Sequence, residues 1–173
     1  MLIRNFHARS LPGTPDQLGL LVDALAGSDD PLWPVDHWPA MRFDRPLGVG
    51  ADGGHGSVRY TVVGYIPGEW IRFQFNGSGG LVGFHEVTVR PDGPDRAELS
   101  HLLAATAHGT ALLRWALVMR WLHDVAIEEM LDRAEFATVG MVRDPIRWSP
   151  HVRLLRRVMR RRTPAACVSP VGV

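Results

Sequence analysis

The alternation of apolar and polar residues divides the chain into a strand-rich middle and a helical end. Period-two alternation predicts four strands, at residues 58–66, 69–76, 81–90 and 96–107. They lead into one helical stretch from Thr110 to Ala134, and a short strand, Leu2–Arg9, precedes them. This order predicts an α+β domain in which a curved antiparallel sheet wraps around a long C-terminal helix and encloses a cavity.

The segment between the first strand and the sheet is less regular. Thr14-Pro15-Asp16-Gln17 is typical of a helix start, and Gly27 ends that helix. Residues 29–46 contain four prolines together with Trp33 and Trp38, which predicts irregular backbone packed against the body. We expect a short strand at residues 47–51 and then a mobile glycine-rich loop at residues 52–56. His55 in that loop is expected to lie at the rim of the cavity mouth.

The two hairpins have registers that can be proposed from their turns. Pairing Ile66 with Glu69 puts Tyr60 opposite Phe75, Val62 opposite Phe73, Gly64 opposite Ile71, and Tyr65 against Trp70. Pairing Val89 with Ala97 puts Thr88 opposite Glu98, Val87 opposite Leu99, and His85 directly opposite His101. The aromatic and histidine side chains then face inward, whereas Arg72 and Glu98 face solvent.

The long helix has an apolar arc that must turn towards the sheet. The arc holds Leu112, Trp115, Ala116, Met119, Leu122, Ala126, Ile127, Met130 and Ala134, with His123 at its centre. Arg114, Asp124, Glu128 and Asp132 fall on the opposite side. Arg120 lies at one border, where it pairs with an anionic ligand group or, as we favour, with Glu86 or Glu128 at the surface. His123 should therefore face the same space as His85 and His101.

Charge is distributed unevenly along the chain. Residues 1–135 contain 11 Arg and 17 acidic residues, whereas residues 136–173 contain 8 Arg and only Asp144, which gives net charges of −6 and +7. We therefore divide the chain into a ligand-binding domain (1–135) and a basic extension (136–173). The single cysteine, Cys167, excludes a disulfide within the chain. No apolar run is long enough to span a bilayer and no signal pattern is present, so we expect a cytoplasmic protein.

The basic extension begins with a helix signal at Ser149-Pro150. Val152, Leu154, Leu155, Val158 and Met159 gather on one side of the helix, and Arg153, Arg156, Arg157, Arg160 and Arg161 line the other. Such a helix docks on the acidic body, forms a homodimer contact, or lies on an anionic membrane surface. A disordered tail is the remaining alternative. We expect no nucleic-acid partner, because no aromatic residues are interleaved with the arginines.

Two stretches, LWPVDHWPAMRFDRPLGVGADGGHGSVRYTVVGYIPGEWIRFQF and GLVGFHEVTV, resemble cyclase-like actinobacterial proteins. Together with the order of elements, they make residues 2–134 similar to the superfamily of START-related lipid-transfer, plant-allergen and polyketide-cyclase proteins (SRPBCC). The resemblance implies the helix-grip fold and an internal cavity for a sterol, polyketide, quinone or other ring-containing molecule. Some relatives catalyse cyclisation or dehydration and many only carry a ligand, so it does not decide whether the chain is an enzyme.

These inferences give a set of candidate site residues. The expected ligand-binding residues are Tyr60, Val62, Phe73, Phe75, His85, Val87, Leu99, His101, Met119, His123 and Ile127. The function that we expect is that of a binding or carrier protein for a hydrophobic molecule. The alternative is a cofactor-free cyclase, dehydratase or isomerase in which His85, His101, His123 and Tyr60 are the candidate acids and bases. We expect no cofactor and no metal, because no short-range ligand spacing connects the histidines.

Overall fold

A single antiparallel sheet forms the framework of the protein. The computed structural model describes residues 1–77 and 80–162. Its strands are β1 (Leu2–Pro12), β2 (Met41–Phe43), β3 (Asp52–His55), β4 (Val58–Ile66), β5 (Trp70–Phe75), β6 (Leu81–Pro91) and β7 (Arg96–Ala107). They are ordered β1-β7-β6-β5-β4-β3-β2, so the first strand of the chain lies at one edge beside the last. The predicted sheet followed by a long helix is confirmed.

The helices lie before and after the strands. Helix α1 is Pro15–Asp23, and its predicted start is formed by a capping box in which Thr14 and Gln17 bond each other's backbone. After β7 come α2 (Thr110–Arg114), a π-helical turn (Trp115–Met119), α3 (Arg120–Val139) and α4 (Pro150–Arg162). We call residues 110–139 the gripping helix. Among the described residues, no helix is long and apolar enough to cross a membrane.

The first hairpin follows its predicted register for only half its length. Tyr60 pairs with Phe75 and Val62 with Phe73, as predicted. A bulge after Val62 then puts Gly64 opposite Arg72 and Tyr65 opposite Ile71, so the predicted pairings of Gly64 with Ile71 and Tyr65 with Trp70 are wrong. The Trp70 ring lies against Gly64, where an added Cβ would be 2.4 Å from the ring. Gly64 therefore leaves space for the Trp70 indole, and the sequence pattern does not predict this contact.

The second hairpin has a shorter turn than predicted. Pro91 pairs with Ala97 and Val89 with Leu99, so the predicted pairing of Val89 with Ala97 is wrong by two residues. Thr88 lies opposite Ser100, Val87 opposite His101, and His85 opposite Leu103. Because the shift is even, every side chain keeps its predicted face. His85 and His101 thus remain inward-facing neighbours, but diagonally rather than directly across the strands.

Residues 52–56 are not the expected mobile loop. Residues 52–55 form β3, which pairs with β2 on one side and β4 on the other. An added Cβ would lie 2.0 Å from the Arg42 carbonyl oxygen at Gly53 and 1.9 Å from the Val58 carbonyl oxygen at Gly54. The glycines therefore allow three backbones to approach closely, and that reason for a glycine pair is not visible in the sequence. The expected strand at residues 47–51 is absent, since these residues form turns.

The gripping helix is longer and less uniform than predicted. It continues past Ala134 to Val139 and contains a π-helical turn, which inserts an extra residue and rotates the first turns relative to the rest. Ala116 is therefore exposed although it was placed on the apolar arc, and Arg114 lines the cavity although it was placed opposite. Beyond the π turn the arc is correct, since Leu122, Ala126, Ile127, Met130 and Ala134 are all buried.

Helix α4 packs on the body through a mixed surface. Val152 is buried and Leu155 packs against the core, whereas Leu154 on the predicted apolar side is 58% exposed. Arg156 was predicted on the solvent side, but it is only 8% exposed and its guanidinium lies 4.5 Å from the Trp38 ring centre. A stacked guanidinium can be buried in this way because the aromatic ring compensates part of its lost hydration. The tail after residue 162, with Cys167, and the side chains of residues 160–162 lie outside the described residues.

Candidate functional site

An internal cavity of about 180 Å³ lies between the concave face of the sheet and the gripping helix. One water needs roughly 15 Å³, so the cavity admits a small organic molecule. Eight of the predicted ligand-binding residues line it: Phe73, Phe75, His85, Val87, His101, Met119, His123 and Ile127. Tyr60, Val62 and Leu99 do not line it, although all three are buried in the core.

Three histidines form a row across the cavity wall, with His85 on β6, His101 on β7 and His123 on α3. His101 Nε2 lies 3.4 Å from His85 Nδ1, within hydrogen-bond range. The ring centres of His101 and His123 are 5.0 Å apart. Three further ring nitrogens are buried and have no hydrogen-bond partner within the described structure: His85 Nε2, His101 Nδ1 and His123 Nδ1. We call His85, His101 and His123 the histidine row.

Burial determines the protonation of this row. Loss of hydration lowers the pKa of His85 and of His101 well below 6.5, and the neighbouring imidazoles lower it further. Burial also lowers the pKa of His123, although the nearby Asp124 carboxylate opposes the shift. The row is therefore neutral at pH 7. Its open nitrogens can accept a proton from a ligand hydroxyl or donate one to a carbonyl.

Tyr60 does not line the cavity but contacts two residues that do, His55 and His85, and its ring centre is 4.7 Å from that of His85. The Tyr60 hydroxyl shares a hydrogen bond of 3.0 Å with His55 Nδ1, and the His55 ring stands 4.8 Å from the Trp33 ring. Burial raises the pKa of Tyr60 and lowers that of His55 to about 4, so both groups are neutral. His55 lines the cavity with Trp33 and Trp38, which are also part of the hydrophobic core. The expected position of His55 near the cavity thus agrees with the structure, but on a strand.

Three arginines line the cavity, and the sequence placed none of them there. They are Arg59 on β4, Arg114 on α2 and Arg156 on α4, whereas no carboxylate is among the described lining residues. Arg156 lies between two indoles, 4.5 Å from the Trp38 ring centre and 5.8 Å from that of Trp148. The cavity is therefore apolar over most of its wall and positive where it is charged. The arginine pattern of an amphipathic helix does not indicate that one of these side chains points into the cavity.

A buried carboxylate fixes the segment that carries these indoles. Glu129 accepts hydrogen bonds from Trp38 Nε1 at 2.5 Å, from Trp148 Nε1 at 2.7 Å, and from His37 Nδ1 at 2.9 Å. It therefore connects α3 to the proline-rich segment and to Trp148, two residues before α4. This carboxylate positions Trp38 and Trp148, and through their rings Arg156, at one end of the cavity.

A charged network lies on another side of α3, facing the edge strand. Asn5, His7 and Arg9 of β1 bond four helix carboxylates, which are those of Asp124, Glu128, Asp132 and Glu135. His7 Nδ1 is 2.7 Å from Glu128 Oε1, and hydrogen bonds to Asp124 and Glu128 raise the pKa of His7 to about 9. We call these seven residues the β1–α3 network. The sequence predicts the acidic face of the helix but does not predict that β1 packs against it. Arg120 is at the surface as favoured, 3.8 Å from Asp124 rather than beside Glu86 or Glu128.

Comparison with known proteins identifies the fold. No family model and no curated protein sequence matches the chain. The structure of CalU16 from Micromonospora echinospora superposes with a TM-score of 0.55 at 14% identity over 91% of this chain and 90% of that one. Norcoclaurine synthase from Thalictrum flavum, in complex with dopamine and hydroxybenzaldehyde, gives 0.61 at 12% identity over 81% and 88%.

The Aha1 dimer from Colwellia psychrerythraea gives a TM-score of 0.50 at 12% identity, over 80% of this chain and 98% of that one. These superpositions establish the shared fold. At such low identity they do not identify the ligand or the reaction. The protein therefore has the helix-grip fold, which is the fold that the sequence resemblance implied.

Proposed function

We propose that the protein binds and carries a hydrophobic, ring-containing small molecule of polyketide, lipid or quinone type. The observation that carries this proposal is the cavity of about 180 Å³ with a mostly apolar and aromatic lining. Such a wall with a few polar groups is the usual composition of a small-molecule site. The norcoclaurine synthase complex, whose two ligands both contain an aromatic ring, supports a ring-bearing ligand.

The charged part of the lining favours a ligand with an acidic group. Arg156 is the most enclosed of the three lining arginines, and its neighbouring indoles provide flat surfaces for a ring. A carboxylate, phenolate or sulfonate beside this guanidinium would form a charge-assisted hydrogen bond. We therefore propose that the acidic group lies at the α4 end and the rings extend towards the histidine row.

Two fluorescent probes of matched shape test this arrangement. We expect 1-anilinonaphthalene-8-sulfonate to bind more tightly than uncharged N-phenyl-1-naphthylamine, which lacks the sulfonate. Arg156→Gln should weaken the sulfonate probe by about 10-fold, equivalent to roughly 1.4 kcal/mol, and leave the neutral probe within about 2-fold. Arg157→Gln, at an exposed position of the same helix, is the matched control. Failure of both probes to bind would contradict the cavity proposal, and an equal loss for both probes would contradict the role of charge.

The alternative function is a cofactor-free cyclase, dehydratase or isomerase. It is supported by the histidine row, because all three residues line the cavity and their imidazoles are neutral at pH 7. Tyr60 is not a direct acid in this version, because its hydroxyl contacts His55 rather than the cavity. Its influence would pass through the orientation of His55 and of His85, whose rings it contacts.

Native mass spectrometry of the protein purified from its own host would identify the ligand for both versions. With that ligand as substrate, His85→Ala, His101→Ala and His123→Ala separate carrier from enzyme. An acid–base enzyme loses turnover by about 10²–10⁴-fold at one of these positions, whereas a carrier loses affinity only modestly. Unchanged turnover in all three variants would exclude the acid–base version.

We propose that the extension (136–173) also makes the protein's external contact, through a homodimer or at a membrane surface from the cytoplasmic side. The outer side of α4 exposes Leu154 and Val158 next to Arg153 and Arg157, a combination suited to anionic lipid. Flotation with vesicles of anionic lipid should recover the wild type but not Leu154→Asp/Val158→Asp. Sedimentation tests the dimer, and equal flotation by both forms together with a monomeric wild type would contradict this contact. These variants are preferable to removal of residues 143–173, because removal would also take Arg156 out of the cavity wall.

A further inference from the structure

A cluster of side chains that can ligate a metal lies next to the cavity, between β1 and α3. It contains His7, His123 and Asp124, each offering one ligand atom, and these three atoms lie within 4.8 Å of one another. Asp124 Oδ1 is 3.4 Å from His7 Nε2 and 4.0 Å from His123 Nδ1. We propose that these three side chains form a binding site for a divalent first-row transition cation, with zinc as its simplest probe.

The spacing is close to that of a bound ion. Ligand atoms at about 2.0–2.1 Å from a tetrahedral zinc are separated by about 3.3 Å. His7 and Asp124 already have this separation, and the His123 nitrogen must approach Asp124 by about 0.7 Å and His7 by at most about 1.5 Å. All three side chains are largely buried, with 14%, 17% and 29% of their surfaces exposed. Small rotations about side-chain bonds therefore suffice to close the site.

Neighbouring groups hold two of the ligands in the orientation that a metal requires. Glu128 Oε1 is 2.7 Å from His7 Nδ1, so the carboxylate accepts a hydrogen bond from that nitrogen and leaves Nε2 directed at Asp124. Asn5 Nδ2 donates to Asp124 Oδ1 at 2.7 Å, and Arg9 holds Glu128 at 3.0 Å. A carboxylate behind a histidine is the common outer shell of metal sites, because it fixes the ring and raises its basicity.

Two buried polar atoms beside Asp124 suit a bound cation and its water. His123 Nδ1 and Asn5 Oδ1 are buried without a hydrogen-bond partner within the described structure. A buried polar atom is stabilised when it gains a partner. A cation would bond His123 Nδ1 directly, and a water bound to that cation would serve Asn5 Oδ1. An ion pair between His7 and the carboxylates alone satisfies neither atom.

The donor set and the charge decide the class of ion. Two imidazoles with one carboxylate suit zinc and other first-row divalent cations, whereas calcium and magnesium prefer a shell of oxygen atoms. Asp124 and Glu128 supply negative charge, and the Arg120 guanidinium approaches only the far oxygen of Asp124, at 3.8 Å. Because His123 also lines the cavity, a bound ion would stand at its wall. Metal binding at this site does not depend on whether the cavity carries a ligand.

Calorimetric titration of Zn²⁺ tests the site. The full chain carries Cys167→Ser, so that its only thiol cannot bind the ion, and is first treated with a chelator. We expect one ion per chain with micromolar or tighter affinity. His123→Gln and Asp124→Asn should each weaken binding by at least 10-fold, and Glu128→Gln by about 10-fold through the outer shell. His108→Gln and His151→Gln, at exposed histidines, should change nothing.

Thermal unfolding with and without Zn²⁺ keeps the test independent of any folding defect in a variant. A specific ion raises the unfolding temperature of the parent and not that of His123→Gln. Co²⁺ provides a second readout, because its visible d–d absorption reports nitrogen and oxygen ligands in a tetrahedral site. Absence of binding at 100-fold excess, or binding that survives His123→Gln and Asp124→Asn but disappears in His151→Gln, would overturn the proposal.

Discussion

Histidine pKa values shift in opposite directions on the two sides of α3. On the cavity side, burial among apolar groups lowers the pKa of His85, of His101 and of His123. On the β1 side, two carboxylates raise the pKa of His7 to about 9. The His7 and His123 rings are only 6.2 Å apart. The cavity side can therefore adapt to a ligand without moving charge, whereas the β1 side uses charge to close the sheet edge onto the helix.

The difference also separates stability from function. In the β1–α3 network nearly every polar group has a partner, and removal of one partner leaves a buried charge behind. The histidine row keeps three open nitrogens at a cost in stability. Substitutions on the two sides should thus affect the free energy of unfolding and ligand affinity in different proportions.

The largest effect should follow from Arg9→Met. Arg9 holds Asp132 at 2.7 Å, Glu128 at 3.0 Å and Glu135 at 3.1 Å, so its loss leaves three carboxylates in a largely buried position. We expect a loss of about 3 kcal/mol in the free energy of unfolding, measured with urea. Arg4→Met at an exposed position of the same strand should change it by less than about 0.5 kcal/mol. Similar values for both variants would remove the structural role of the network.

His7→Leu should have the next largest effect. It removes the donor to Glu128 and Asp124 while keeping the volume of the side chain. We expect a loss of about 2 kcal/mol in the same urea measurement, because two carboxylates lose a charged partner. The result should be the same in the presence of a chelator, which separates this ion pair from any bound metal. A loss below about 0.5 kcal/mol would show that solvent replaces the imidazole at no cost.

Acid should destabilise the protein through the cavity side. His55 and His85 have lowered pKa values in the folded state, so between about pH 6.5 and pH 5 the unfolded chain binds protons that the folded chain does not. Their contribution to stability is present above pH 6.5 and falls as the pH drops below it. We expect a loss of roughly 1–2 kcal/mol per histidine between pH 6.5 and pH 5. His85→Leu should flatten that slope, and an unchanged slope would contradict the neutral state of the row.

The smallest effect on stability should come from His101→Leu. Leucine fills a similar volume and removes a buried nitrogen that has no partner, while it also removes the 3.4 Å hydrogen bond to His85 Nδ1. We expect the free energy of unfolding to change by less than about 1 kcal/mol, in either direction. Affinity for the bound ligand, or for 1-anilinonaphthalene-8-sulfonate, should fall by about 5-fold or more. A large destabilisation with unchanged affinity would reverse the comparison between the two sides.

Parity explains why much of the site could be predicted although one register was wrong. A shift of two residues in the second hairpin leaves His85 and His101 on the inner face, because side chains alternate with a period of two. His123 was predicted on the inner arc for the same kind of reason, since helical periodicity holds beyond the π turn. Tyr60, Val62 and Leu99 are buried as predicted but do not line the cavity, because periodicity gives the buried face and not the position of the cavity on it.

The partners that sequence reasoning missed all come from distant segments. Asp124 and Glu128 meet His7 only because β7 places β1 beside the gripping helix, more than 115 residues away along the chain. Arg156 lies in the cavity because Trp38 and Trp148 meet around Glu129. The β3 strand forms because two glycines admit neighbouring backbones. Periodicity describes a face of one element and gives no information about which element packs on it.

The sequence by itself determined the order of strands and helix, the faces that they bury, and the presence of a cavity with inward histidines. Those features depend on local periodicity, which every residue of a strand or helix repeats. Only the tertiary structure decided the bulge, the π turn, the inward position of Arg156 and the meeting of His7 with Asp124. These features depend on how segments that are remote in the chain pack together. A shift of one residue in a strand or helix, or the position of one aromatic ring, changes which side chains meet.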